Sequence, residues 1–267
     1  MPAPEPAARS SVTLSAGCGQ VAPAPPTSVR VGGLERPVIT AVPPRYEAST
    51  PHMLVVAFHG RTNANNQARA YFGLEAALPG AIIVYPSGLR QGESFTWSDS
   101  ADPPDALRDY ALFDEVVRVM SAGYCLDTRR IFVVGHSLGA WFANSLACAR
   151  SGVVRGVASL AGGVSAGACP QGVAAMIAHN PRDELVPVAQ GEAARDLFLS
   201  TNRAAAQGVT ITSAPLRDLR CSWYSETTNP VVWCPHNINH RYDGSYYPHT
   251  WPGVWAEAVG YFFRVLD

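Results

Sequence analysis

Short uninterrupted apolar runs alternate along the chain with stretches in which apolar residues recur every three or four positions. Residues 53–58 form one such run, ending at His59 and Gly60. Residues 81–85 form a second, stopped by Pro86, and residues 131–134 a third, ending in Gly135. Residues 157–160, interrupted only by Ser159, and 174–178 follow. Apolar runs without polar alternation suit strands covered on both faces, as in a parallel sheet. Ahead of them, the β-prone segments 27–31 and 38–42 flank Gly32 and Gly33 and predict an N-terminal antiparallel hairpin. Helical spacing fills the gaps. Leu112, Val116, Val119 and Met120 follow a helix start marked by Pro103 and Pro104, residues 138–150 are rich in alanine, and residues 254–265 carry a stripe through Val259, Phe262 and Phe263. This alternation predicts one doubly wound α/β domain over residues 15–267, with no internal repeat and no linker. Residues 1–14, rich in Pro, Ala and Ser, are expected to be a disordered extension.

Composition narrows the function. Of 267 residues 47% are hydrophobic and 15% charged, and the net charge is −1. Such a chain buries a sizeable core and offers no field for steering toward nucleic acid or an anionic bilayer, so neither is an expected partner. All 20 basic residues are arginine. A lysine Schiff base, a phosphate-loop lysine and a Ser–Lys dyad are therefore excluded. No apolar run approaches the roughly 18–20 residues of a membrane helix, and the best stretch, 152–164, carries Arg155. The N-terminus lacks the basic and apolar regions of a signal peptide; Met1 before Pro2, Pro4 and Pro6 reads as a mature chain restarted with methionine. Six cysteines contain no C-x-x-C pair, which fits three disulfides in an exported protein, or else buried thiols.

The chemistry centres on Gly135-His136-Ser137-Leu138-Gly139. Four β-branched or aromatic residues precede this G-x-S-x-G and a helix-forming stretch follows it, which is the context a nucleophile elbow requires. There the serine sits on a tight strand-to-helix turn with its hydroxyl above the sheet edge, next to a helix N-terminus that favours negative charge. Side chains at either glycine would collide with the neighbouring strand and helix. His136 is expected to pack rather than to act as a base.

A serine hydroxyl needs a base. In the chain order of α/β-hydrolases the acid follows a later strand and the histidine lies near the end. Residues 174–179 supply that strand and run into Asn180-Pro181-Arg182-Asp183-Glu184, so Asp183 is the expected acid and Glu184 its alternative. Among His236, His240 and His249 the expected base is His249, in the proline-flanked Pro248-His249-Thr250-Trp251-Pro252, with His240 the runner-up. Cys234, His236 and His240 invite a metal reading, but without a carboxylate they are a poor set; no metal and no cofactor are expected. The segment His59-Gly60-Arg61-Thr62 ends the first buried strand. One oxyanion donor is expected from the Leu138 N–H, the other from the N–H of Arg61 or Thr62. The His59 imidazole is expected to be buried and hydrogen-bonded.

Seven segments occur in one order: Ser15-Ala16-Gly17-Cys18-Gly19, Phe58-His59-Gly60, Tyr85-Pro86-Ser87-Gly88, Cys125-Leu126-Asp127, the elbow, the Asp183 loop and the Pro248–Pro252 stretch. Together they resemble the secreted esterases grouped as feruloyl esterases and polyhydroxybutyrate depolymerases, over roughly residues 15 to 265. The resemblance implies an α/β-hydrolase fold and a cofactor-free, secreted carboxylic ester hydrolase, with Ser137, Asp183 and His249 on the triad positions. No polymer-binding module is expected within residues 15–267, and His136 and Leu138 in the elbow do not separate sugar esters from polyesters.

The functional expectation is a serine esterase working through an acyl-enzyme, feruloyl-esterase-like on plant cell-wall esters. Polyester depolymerase and acetylxylan esterase are the alternatives within enzymes, and a catalytically dead binding protein lies outside them. A monomer is expected. Trp97, Trp141 and Trp251, and with them Trp223, are candidate walls of the substrate pocket. For the disulfides, Cys125 and Cys148 fall near the same end of the sheet, Cys221 and Cys234 bracket one loop, and Cys18 is left for Cys169.

Overall fold

The computed structural model describes residues 1–5, 12–98, 108–166, 168–225 and 228–266. The proposed helix start at Pro103 and Pro104 and residues 6–11 of the extension lie outside the described residues. The strands are β1 (Ser28–Val31), β2 (Leu34–Ala41), β3 (His52–Phe58), β4 (Ile82–Pro86), β5 (Leu89–Gln91), β6 (Ser94–Thr96), β7 (Leu126–His136), β8 (Gly156–Leu160), β9 (Ala174–Ala178), β10 (Val209–Thr210), β11 (Ser222–Tyr224) and β12 (Val231–Cys234). The α-helices are α1 (Asn65–Phe72), α2 (Leu74–Ala77), α3 (Arg108–Gly123), α4 (Leu138–Ala149), α5 (Val188–Asn202) and α6 (Gly253–Val265).

Among the described residues ten strands form one sheet in the order β1-β2-β4-β3-β7-β8-β9-β12-β11-β10. The six from β4 to β12 run parallel, and two antiparallel strands close each edge. The expected hairpin is β1–β2, and the apolar runs became the central strands. Their alternate residues enter two cores. Val55, Ala57, Phe132, Val134, Ala158 and Leu160 pack with Phe72 of α1 and Trp255, Phe262 and Phe263 of α6. Leu54, Val56, Phe58, Ile131, Val133 and Val157 pack with α3 and α4 through Phe113, Val116, Phe142 and Leu146. Both faces being covered, a polar residue would be costly on either, which is why these strands, Ser159 of β8 apart, read as near-continuous apolar runs. The architecture is a mostly parallel α/β-hydrolase sheet in a single domain.

Three disulfides are present, and two of the expected pairings are corrected. Cys18 pairs with Cys125 and Cys148 with Cys169, in place of Cys125–Cys148 and Cys18–Cys169; Cys221–Cys234 is as expected. The N-terminal arm lies antiparallel beside the start of β7, through Thr128 N–H to Thr13 O at 2.8 Å and Ser15 N–H to Leu126 O at 2.9 Å, which carries Cys18 to Cys125. The loop after β8 folds back along α4, with Asn144 Nδ2 donating to Gly163 O at 2.8 Å and Ser165 N–H to Ser145 Oγ at 3.0 Å. Cys148, one turn further on that helix, therefore meets Cys169. The described ends of the N-terminal extension are also bonded: the Met1 ammonium donates to Thr210 O at 3.1 Å and Ala3 N–H to Ser213 Oγ at 2.9 Å. Among the described residues no helix is long and apolar enough to cross a membrane.

Candidate active site

The loops that follow β3, β7, β9 and β12 leave the carboxyl ends of neighbouring parallel strands, where open α/β sheets place their ligands. Between β7 and α4 the chain reverses at Ser137, which has φ 56° and ψ −124°, a backbone region that costs a non-glycine residue about 1–3 kcal/mol. Its N–H donates to Leu160 O at 2.9 Å, anchoring the turn to β8. A Cβ on Gly135 would lie 2.2 Å from Gly139 O, and one on Gly139 would lie 2.2 Å from Phe58 O. Strand, helix and β3 thus approach too closely for anything but glycine on either flank. Ser137 itself is half-exposed, while its neighbours His136 and Gly139 are buried.

Asp183 follows β9 and is buried; Glu184 beside it is exposed. One Asp183 oxygen, Oδ1, accepts the amides of Leu185 and Val186 at 3.0 Å each, and Oδ2 faces His249 Nδ1 at 2.6 Å. Burial raises the carboxyl pKa, but the bonds from His249 and Val186 and the nearby imidazoles outweigh it, and the net shift is downward. An ionised Asp183 requires the proton of His249 to sit on Nδ1, leaving Nε2 as the free base. His240, the alternative, is exposed and pairs with Tyr246, and Cys234 of the metal reading is spent in its disulfide. No hydrogen bond joins Ser137 Oγ to His249 Nε2.

His136 shares a face with His249, their ring centroids 5.2 Å apart. Its Nε2 donates to the His249 carbonyl at 3.2 Å and its Nδ1 accepts from the Tyr71 hydroxyl at 3.1 Å. Burial, reinforced by His249, holds its pKa down to about 3, so the ring is neutral. Two further buried histidines flank Asp183. His179 Nε2 donates to Val186 O at 2.8 Å, and burial lowers its pKa. His236 is held down to about 4, chiefly by burial. His59 is buried as well, its Nε2 accepting Gly88 N–H at 2.9 Å.

Beside the elbow lies a cavity of about 300 Å³ lined by Arg61, Trp97, Leu138, Trp141 and Phe142, with Ser145 and Ser165 also on its wall. The main-chain N–H groups of Arg61, Thr62 and Leu138 donate to no acceptor among the described residues. Two of the four candidate tryptophans meet here. Trp97 stacks on Phe142 at 5.4 Å and donates from Nε1 to His59 O at 2.8 Å; Trp141 lies one helical turn beyond Ser137. Trp251 stacks instead on Phe72 at 4.1 Å, behind the imidazoles, and Trp223 packs against Phe262.

Sequence reasoning missed the brace behind this wall. Buried Asp109 of α3 accepts Arg36 Nη2 at 2.7 Å, Ser98 N–H at 2.7 Å and Ser98 Oγ at 3.2 Å. The one signal available was a carboxylate on the apolar side of a helix. Tyr71 was missed too, since an aromatic residue on an amphipathic helix reads as core.

No protein-family model matches the chain. It is 28% identical over 248 residues to Feruloyl esterase D of Neurospora crassa, covering 85% of this chain and 82% of that protein. It is 30% identical over 203 residues to Probable feruloyl esterase C of Aspergillus terreus, covering 72% and 71%. Among solved structures it resembles the acetyl xylan esterase from Aspergillus awamori with a TM-score of 0.62 at 15% identity, over 78% of this chain and 91% of that one.

Proposed function

The chain belongs to the feruloyl esterase family and is a carboxylic ester hydrolase, and from that premise we propose that Ser137, His249 and Asp183 carry out two-step acyl transfer on aromatic esters of plant cell-wall polysaccharide. His249 Nε2 takes the proton of Ser137 as the hydroxyl attacks the ester carbonyl. The contact between these two groups closes as the ester binds, a tightening common at such sites. Asp183 keeps the Nδ1–H tautomer and stabilises the imidazolium. The oxyanion receives the N–H of Leu138 and that of Arg61 or Thr62, each donor worth ~10²–10³ in rate. Protonated by His249, the alcohol leaves, and water repeats the sequence on the acyl-enzyme.

The observation that carries this reading is the cavity: it is walled by Arg61 and Leu138, two of the candidate oxyanion donors, and by the indoles of Trp97 and Trp141. Its size falls at the lower end of the roughly 300–1,000 Å³ of small-molecule sites, which suits one aromatic acyl group. Three disulfides support an exported protein. The test compares wild type and Ser137→Ala on methyl ferulate, acetylated xylan and hydroxybutyrate oligomers. Preference for the ferulate and loss of all turnover in the variant are expected. Near-normal turnover by Ser137→Ala removes the nucleophile assignment, and preference for either other substrate removes the aromatic acyl assignment.

A further inference from the structure

We propose that His136 is a positioning residue for the base: a strut between Tyr71 and the main chain of His249 that sets where the His249 imidazole stands relative to Ser137. The inference rests on the acyl-transfer reading above. The side chain of His249 is tied at one end only, to Asp183 through Nδ1. A single tie leaves the imidazole free to pivot about that bond, so the position of Nε2 depends on the backbone that carries the ring. Among the described residues the bond from His136 Nε2–H to the His249 carbonyl is the only hydrogen bond to the main chain of His249. The residues around it, Pro248 and the segment before α6, form neither helix nor strand.

The direction of the bond is fixed by the carbonyl. A carbonyl only accepts, so His136 must carry its proton on Nε2 and present a bare Nδ1 to α1, where the Tyr71 hydroxyl donates to it at 3.1 Å. In the opposite tautomer an imidazole lone pair would face the carbonyl lone pairs and the link would repel. The acceptor-only carbonyl therefore selects the tautomer, as the Asp183 carboxylate selects that of His249, and the Tyr71 hydroxyl satisfies the nitrogen left bare. Both nitrogens of His136 are occupied, which leaves it no part in moving the substrate's proton. Trp251 meets the ring edge-on at 5.8 Å and Tyr71 at 5.7 Å, so the strut is clamped on its faces as well. An apolar side chain would fill this space without the desolvation cost of a buried imidazole, and only the two bonds offset that cost. The strut joins α1, the strand end that carries the nucleophile and the loop that carries the base, whereas the acyl cavity is walled by other residues, among them Trp97 and Phe142.

The test measures kcat and KM separately on methyl ferulate for His136→Phe, His136→Gln, Tyr71→Phe and the Tyr71→Phe/His136→Phe double variant, with thermal melts of each. His136→Phe is expected to lower kcat roughly 10- to 100-fold, the scale of a misplaced catalytic group, with KM within about twofold. His136→Gln keeps a donor amide for the same carbonyl and should recover most of the loss. Tyr71→Phe, which removes one oxygen, should lower kcat in the same sense, and the double variant should be no worse than His136→Phe alone. Unchanged kcat in a folded His136→Phe or in Tyr71→Phe overturns the proposal, as does a loss confined to KM, an unrescued His136→Gln, or additive effects in the double variant. Ser137→Ala in the same series separates the two readings. Full turnover there sinks acyl transfer through Ser137, while a dead Ser137→Ala beside an unimpaired His136→Phe sinks the strut alone.

Discussion

Asp183 Oδ2 lies 2.6 Å from His249 Nδ1, although 66 positions of sequence separate the two residues. The other carboxylate oxygen is saturated by the amides of Leu185 and Val186, so this one is left for the imidazole. Asp183→Asn keeps the shape but offers an amide where the Nδ1 proton needs an acceptor, turning His249 to the wrong tautomer. A fall in kcat of about 10³–10⁴ with little change in KM is expected from steady-state kinetics. Glu184→Gln should stay near wild type because that carboxylate is exposed. The reverse ranking would move the acid to Glu184.

The indole of Trp141 walls the cavity beside the elbow, and a Cβ on Gly163 would lie 2.8 Å from its ring, so the loop after β8 holds it closely. Trp141→Ala removes apolar contact that a cinnamoyl-type acyl group uses and an acetyl group does not reach. On methyl ferulate kcat/KM should fall roughly 10- to 200-fold, the range for lost apolar contact in a pocket. On a short acetyl ester of the same alcohol it should change by less than about threefold. Equal losses on both would mean that Trp141 supports the elbow rather than the substrate.

Much of this architecture was legible because the chemistry of a buried parallel strand writes itself into consecutive residues. Strands β3, β4, β7, β8 and β9 announced themselves as apolar runs, and Ser137 as the serine between two glycines that contact geometry requires. What escaped is of two kinds. Strand β12 is a central strand of only four residues, too short for its pattern to stand out between Pro230 and Pro235. The Tyr71–His136 and Arg36–Asp109 links escaped because a polar pair far apart in sequence leaves no periodic trace in either segment. Two of the three cysteine pairings failed for a related reason. Cys125 and Cys148 were placed by their strand and helix, while the arm and the returning loop that bring Cys18 and Cys169 to them obey no sequence spacing.

The Arg36–Asp109 pair is a case where breaking one partner should cost more than the pair is worth. Both side chains are buried, 2% and 0% exposed, and Asp109 also carries Ser98 on two bonds and the partly exposed Arg108 guanidinium at 2.7 Å. Asp109→Ala leaves a guanidinium without its counter-charge in the core. A loss of about 3–5 kcal/mol in unfolding free energy is expected from urea titration. The double variant Arg36→Met/Asp109→Leu, which removes both buried charges, fills the space and leaves Arg108 its access to water, should recover a substantial part of it. If Asp109→Ala is as costly as the double variant, the pair's charge balance is not what holds this wall.

Four histidines are buried with pKa values lowered chiefly by desolvation: His59, His136, His179 and His236. In the unfolded chain each titrates near ~6.5. Below that pH the unfolded chain binds protons that the folded protein refuses, so acidification favours unfolding. Their stabilising contribution is complete above ~6.5 and declines as pH falls, down to about 3 for His136 and about 4 for His236. Asp183 acts later, since its pKa is depressed from an ordinary carboxyl value: its contribution is present above about 3.9 and is lost as pH falls through the folded value. Between pH 6.5 and 4.5 the histidines should therefore set the slope, each contributing up to about 1.4 kcal/mol per pH unit. Urea unfolding across that window should show stability falling with acid, and His136→Phe should flatten the slope by about one proton per molecule. A wild-type profile that is level from pH 6.5 to 4.5 would mean these rings take up protons while folded, and His136 could not then be the neutral link between Tyr71 and His249.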